Sequence, residues 1–256
     1  MKVNVKTKQG RLRMVEFLIA LVLVIGISFP AHSVWVGGYY DGADTGNCRP
    51  VVEAFLNNIN ASVIEGPFEG RVANFDSDND NWNSNPPGFD WYDFGFVCAH
   101  GNQWRFEMVN GMVNLNSAGF GSSAAQGWGD DFLEWVVLYS CLVVASPLEN
   151  PQPNWWSVWK DDPNDVFDGL HILNGFRTNA WVPPAQTVAS QYARKLNNGE
   201  YILYAWFDAV TQYGWWWLFG NDRASSVFWD SNRYDTMSSF SPDPPTETIF
   251  VIRYMN

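Results

Sequence analysis

Two dipeptides hold the most reactive side chains of this sequence: His100-Gly101 and, 41 residues later, Ser140-Cys141. A thiol is a good nucleophile once ionised, and a nearby imidazole can hold the thiolate or protonate a departing amine. Gly101 lets a backbone N–H approach a substrate carbonyl, and with the N–H of Cys141 it would form an oxyanion hole. A lone His or Cys at such a position more often caps a buried strand. The pair, each directly behind an apolar run and with Gly after the His, points to a dyad.

Those apolar runs read as strands. Asp93 to Ala99 is a buried strand ending at His100, and Phe132 to Tyr139 is another ending at Ser140-Cys141. Further strands are expected over Val34–Tyr40, Ser62–Glu65, Gly169–Phe176 and Ala224–Trp229. Amphipathic helices are expected over Pro50–Ile59, with Pro50 in the first turn, over Ala185–Asn198, closed by Gly199, and over Ala205–Tyr213. Trp104 to Leu115 alternates around Asn110-Gly111, a hairpin signal. Residues 74–92, rich in Asp, Asn and Pro, read as a long loop. Helices between apolar strands imply an α/β domain, its parallel sheet covered on both faces. In such sheets, sites gather at the carboxyl ends of the strands, which is where both dipeptides fall.

Phe96-Val97-Cys98-Ala99-His100-Gly101 followed by Val136-Val137-Leu138-Tyr139-Ser140-Cys141 resembles the clan CD cysteine peptidases, which include caspases, gingipains, legumains and separases. Gly169–Phe176 followed by Tyr192–Gly199 looks like the region after the Cys in self-associating caspase relatives. A closer resemblance, over nearly all of 34–256, is to a bacterial and archaeal domain-of-unknown-function family with this pattern. The resemblance implies a three-layer caspase-like fold, with a mostly parallel sheet of about six strands, helices on both faces and an inserted β-hairpin. It also implies His100 as general acid/base, Cys141 as nucleophile and Gly101 as oxyanion donor. The activity it implies is a cysteine endopeptidase acting on peptide or protein. Inactive relatives exist, so the alternative is a caspase-fold module that binds peptide or glycan through tryptophan-rich loops.

Three cysteines remain open in their pairing. Cys98 lies two residues before His100, so both side chains leave the strand on the same face. Cys98 can pair with Cys141 and silence it, or with Cys48 and leave Cys141 free; the second, or no bond at all, is preferred.

Other residues point to weaker sites. Asp76, Asp78 and Asp80 alternate like the acids of a calcium loop, but Asn81 replaces the turn glycine and Pro87 the closing Glu. Calcium is therefore the one candidate cofactor, none is required, and a solvated polar loop is the plainer reading. His100, His171 and Cys141 lack the local spacing of a zinc site, and His171 reads as a hydrogen-bonded core residue. Asp130 and Asp131 find no matching acid for glycoside hydrolysis, and Ser140 lacks the glycines of a nucleophile elbow. Most of the fifteen tryptophans, Trp155-Trp156 and Trp215-Trp216-Trp217 included, are expected in the core or anchoring loops.

Charge and the N-terminus bound the setting. Residues 1–33 carry five basic side chains and one acid, so residues 34–256 carry a net charge of −16, with only Lys160 and Lys195 as lysines. Such a surface repels phosphate backbones and excludes nucleic acid as a partner. The basic start, the apolar run Phe17–Phe29 and the small residues Ala31 and Ser33 read as a signal peptide cleaved before Val34. The competing reading is an uncleaved N-terminal anchor, extended by Met14 and Val15 across Glu16, and cleavage is preferred. The run has 13 residues, short of the roughly 20 a spanning helix needs. The expected organisation is thus a signal peptide over 1–33 and one domain over 34–256. It is expected to be secreted, periplasmic or at the cell surface, with no stable membrane span after cleavage.

Overall fold

The computed structural model of the chain describes residues 33–75, 86–115, 127–129, 131–149, 159, 166–239 and 249–256. Its centre is set by strands that are buried at every residue: β3 (Phe94–Cys98), β7 (Trp135–Tyr139), β8 (Ile172–Phe176) and β9 (Ala224–Trp229). Strands buried at every residue need cover on both faces. Together with β1 (Trp35–Tyr40), β2 (Val63–Glu69) and β10 (Phe250–Tyr254) they form a seven-stranded sheet in the order β10-β9-β8-β7-β3-β1-β2. β2, β1, β3, β7 and β8 run parallel, whereas β9 is antiparallel to both β8 and β10. The seventh strand is absent from the sequence reading, and its loss there is explained by its place after a Pro-rich stretch at 240–248.

Side chains divide between the faces with the period of a strand. Phe94, Phe96 and Cys98, like Trp135, Val137 and Tyr139, enter one core with the helices α1 (Thr45–Leu56), α2 (Val182–Asn197) and α3 (Ile202–Tyr213). Phe55 of α1 stacks on Phe96 at 4.4 Å between ring centroids. Val97, Val136, Leu138 and Leu173 enter a second core on the opposite face. That face is covered, among the described residues, by 3-10 turns at Val72–Phe75 and Phe89–Trp91 and by the hairpin sheet β4 (Gly101–Asn102), β5 (Arg105–Met108) and β6 (Gly111–Asn114).

Among the described residues, the three long helices lie on one face. Handedness explains the division. The β1→β2 crossover runs one way along the sheet and carries α1; the β2→β3 and β3→β7 crossovers run the other way, and a right-handed path puts their described turns and hairpin on the opposite face. Two local corrections follow from packing. The first helix starts at Thr45, so Pro50 sits inside it. The missing N–H of Pro50 leaves the carbonyl of Gly46, near the helix start, without its usual donor. The hairpin pairs Met108 with Gly111, so its two-residue turn is Val109-Asn110. Among the described residues, no helix is long and apolar enough to cross a membrane. The proposed signal segment and the acids Asp76, Asp78 and Asp80 lie outside the described residues.

Candidate active site

β3 and β7 are immediate neighbours, paired from Phe94–Trp135 to Cys98–Tyr139, and the Ala99 N–H extends the ladder to the Tyr139 carbonyl at 3.3 Å. His100 and Cys141 each follow the last pair by two residues, so they leave the same end of adjacent parallel strands. Their side chains point to different partners. The His100 ring is exposed, with Nε2 3.4 Å from Asp44 Oδ2 just before α1. Cys141 is half-buried; its Sγ accepts a hydrogen bond from the Ala180 N–H at 3.4 Å and lies 3.8 Å from the Ala180 carbonyl. The two make no hydrogen bond to each other among the described contacts.

Burial pushes the Cys141 thiol up; the Ala180 N–H opposes this and the Asp222 carboxylate adds to it. The thiol is thus protonated at neutral pH in this arrangement. Asp222 is itself fully buried, and its carboxylate accepts from the N–H groups of Trp181, at 2.6 Å, and Trp215, at 3.0 Å. It ties two tryptophan-bearing segments together beside the thiol, with the two indoles 6.4 Å apart. Burial raises the Asp222 carboxyl, and the two backbone donors offset part of that. Neither Asp222 nor Ala180 has a local sequence signal, because both reach Cys141 from beyond β8.

The backbone around the two dipeptides is arranged unusually. The Cys141 N–H has no hydrogen-bond partner among the described residues. Leu142 follows at φ 59°, a left-handed conformation that a branched side chain rarely adopts. This holds Cys141 at a sharp exit from β7, and the Leu142 N–H is anchored to the Thr178 carbonyl at 3.0 Å. After β3, the Glu107 N–H donates to the His100 carbonyl at 2.8 Å. That bond makes Gly101–Phe106 a non-hydrogen-bonded pair of the hairpin, so the Gly101 N–H points away from β5. A Cβ at Gly101 would run into Ser140 Oγ and come within 3.0 Å of the Arg105 carbonyl. The glycine is thus required by packing between the two dipeptides, a reason independent of substrate approach.

More acids surround His100 than the sequence reading anticipates. Asp41, fully buried at the end of β1, donates its N–H to the Cys98 carbonyl and accepts from the Ala43 N–H through Oδ1, while Oδ2 is enclosed without a partner. Burial raises its carboxyl and the Ala43 N–H lowers it; the Glu107 and Asp44 charges raise it further, and His100 opposes them. The Asp41-Gly42 step directly after the first apolar run was the available signal. Cys98 faces α1 and is bonded to Cys48, with Cα atoms 5.1 Å apart, which leaves Cys141 as the free thiol.

His171 belongs to the opposite end of the sheet. It precedes β8, is fully buried, and lies between two carboxylates: Nδ1 is 2.8 Å from Asp235 Oδ2 and Nε2 is 2.8 Å from Glu134 Oε2. Burial alone would lower its pKa, but the contacts with Asp235 and Glu134 and their charges raise it from 6.5 to about 9. It is a core residue, as its setting in the sequence implies, and cannot share a metal with His100 and Cys141. No cluster of three His, Cys, Asp or Glu side chains among the described residues is arranged to hold a metal ion.

Residues 35–252 match a family model described as Domain of unknown function (DUF6345). No curated protein matches the chain. The matched span runs from the first residue of β1 into β10 and includes every residue of the site, and on that ground the chain belongs to the DUF6345 family.

Proposed function

We propose that the domain is an exported cysteine endopeptidase of caspase-like fold, with Cys141 as nucleophile and His100 as general acid/base. One observation carries the reading: His100 and Cys141 leave the same end of two neighbouring, in-register parallel strands. The strand order β2-β1-β3-β7-β8-β9, with β9 antiparallel, supports the caspase-like assignment. The two outward backbone donors, Gly101 N–H and Cys141 N–H, supply an oxyanion hole in this scheme. On substrate binding the exposed His100 ring turns from Asp44 to the thiol and takes its proton. Sulfur then bonds to the scissile carbonyl carbon, His100 returns the proton to the departing amine as the C–N bond breaks, and water hydrolyses the thioester. The Cys48–Cys98 disulfide supports an oxidising compartment outside the cytoplasm.

A second reading, a non-catalytic module that binds peptide or glycan, is favoured by the raised thiol pKa and by the engagement of His100 with Asp44. Turnover of a broad peptide library separates the two. The enzyme reading expects hydrolysis that Cys141→Ala and His100→Ala each abolish. It also expects the double variant to be no worse than the worse single one, because the pair acts as a unit. A wild type that cleaves nothing, with Cys141→Ala still binding a library peptide, would overturn it in favour of the module.

A further inference from the structure

The far edge of the sheet has a character that peptide hydrolysis does not use. β10 is the outermost strand, and its pairing with β9 has a defined phase. The Asp230 N–H donates to the Ile249 carbonyl and the Met255 N–H to the Ala224 carbonyl, so the Phe250, Ile252 and Tyr254 positions are non-hydrogen-bonded pairs. The N–H and C=O groups of those three residues therefore point outward, and no strand pairs with them among the described residues. The opposite edge, β2, is less open to pairing. Pro67 removes a donor there, and the register shifts beside it between Gly37 and Tyr39. β10 contains neither a proline nor a bulge.

Charge is distributed in the same direction. Residues 34–256 are strongly acidic, yet Arg177, Arg223, Arg233 and Arg253 all flank or lie on β8, β9 and β10. Arg177 is paired with Glu149 and Arg233 with Asp230. Arg253 is exposed and has no carboxylate partner among the described residues; its guanidinium lies over the rings of Tyr204, at 5.0 Å, and Phe207, at 5.2 Å. A groove of about 450 Å³ runs along β10 between Tyr204, Arg233, Arg253 and Tyr254.

We propose that β10 is a docking edge for an extended acidic peptide segment of a partner protein. The segment adds as a further strand, hydrogen-bonding to Phe250, Ile252 and Tyr254, with acidic side chains on the face of Arg253. A second copy of this chain pairing through its own β10 is the poorer occupant. Its strand, Phe-Val-Ile-Arg-Tyr, brings a cation and no acid to meet Arg253.

The test uses residues 34–256 carrying Cys141→Ala, so that hydrolysis plays no part and the proposal stands or falls apart from the peptidase reading. Fluorescein-labelled Thr-Glu-Thr-Glu-Thr-Glu, its Gln counterpart and its Lys counterpart are titrated by fluorescence anisotropy at low and high salt. The Glu peptide should bind, at least tenfold more tightly than either counterpart, and weaken with salt. Arg253→Glu should cut that affinity at least tenfold with the fold retained by circular dichroism. Ile252→Pro removes an outward N–H without removing a bond to β9 and should abolish binding; if that variant unfolds, Arg253→Glu decides. Equal binding of the Lys peptide, or an unchanged affinity in Arg253→Glu, overturns the proposal. So does a wild-type dimer in light scattering that Ile252→Pro converts to monomer, which would assign the edge to a second copy.

Discussion

Replacing His171 by Gln should make the domain lose a stabilising contribution that itself depends on pH. In the wild type the imidazolium sits between Glu134 and Asp235, with the ring fully buried and both carboxylates nearly so. Its pKa rises from 6.5 in the unfolded chain to about 9 in the fold. A group whose pKa is raised on folding stabilises fully below its unfolded value, and the contribution is lost as pH climbs through the folded value. At 1.4 kcal/mol per tenfold change in proton affinity, the span from pH 6.5 to 9 is worth about 3 kcal/mol. Gln fills similar space but leaves two buried carboxylates with no cation, so the deficit at pH 6 should be of order 3–5 kcal/mol. Urea unfolding of both proteins at pH 6, 7, 8 and 9.5 reads the difference directly, and groups common to both, Cys141 among them, cancel. The gap should be widest at pH 6 and shrink by about 3 kcal/mol towards pH 9.5. A gap that stays constant across that range would mean that His171 folds as a neutral ring, and the ion-pair account of this end of the sheet would be wrong.

Two further outcomes test the geometry around the thiol. Gly101→Ala should destabilise by about 1–3 kcal/mol through overpacking against Ser140, and Ser140→Ala should recover part of the loss; strictly additive urea midpoints would show that the two sites do not touch. Asp222→Asn removes the negative charge that helps keep the Cys141 thiol protonated, so the pH profile of iodoacetamide labelling should move to lower pH; an unmoved profile would remove Asp222 from the thiol's surroundings.

Legibility followed the range of the interaction. The fully buried strands β3 and β7 show in the sequence as unbroken apolar runs, because burial on two faces leaves few polar positions to interrupt them. β8 and β9, equally buried, carry Asn174 and Ser225-Ser226, of which Ser226 and Asn174 are hydrogen-bonded to each other. The residues after β3 and β7 could be found for the same reason, since a strand's end marks where its loop begins. Face assignment could not be read, because it depends on the direction of each crossover and hence on the spatial order of the strands. The surroundings of the thiol were equally hidden. Ala180 presents only its backbone, and Asp222 reaches the site after α2 and α3. Asp44 carries no signal of its own, because its role depends on where α1 starts, and Pro50 points to a later start.

The disulfide has a consequence for how the chain survives damage. Cys48 and Cys98 close a ring with a sequence separation of 50 that contains most of α1, all of β2 and nearly all of β3. By loop-closure entropy a ring of that size stabilises the fold by about 4 kcal/mol. It also makes the segment tolerant of scission. A protease cut anywhere between residues 49 and 97 opens the ring without releasing a fragment, because both ends of the break stay covalently attached through the two sulfurs. A nicked molecule keeps its full mass until a reductant reaches a bond whose two cysteines are both buried. Wherever proteases meet the folded chain, that turns the polar stretch before β3 into a place where a cut is survivable.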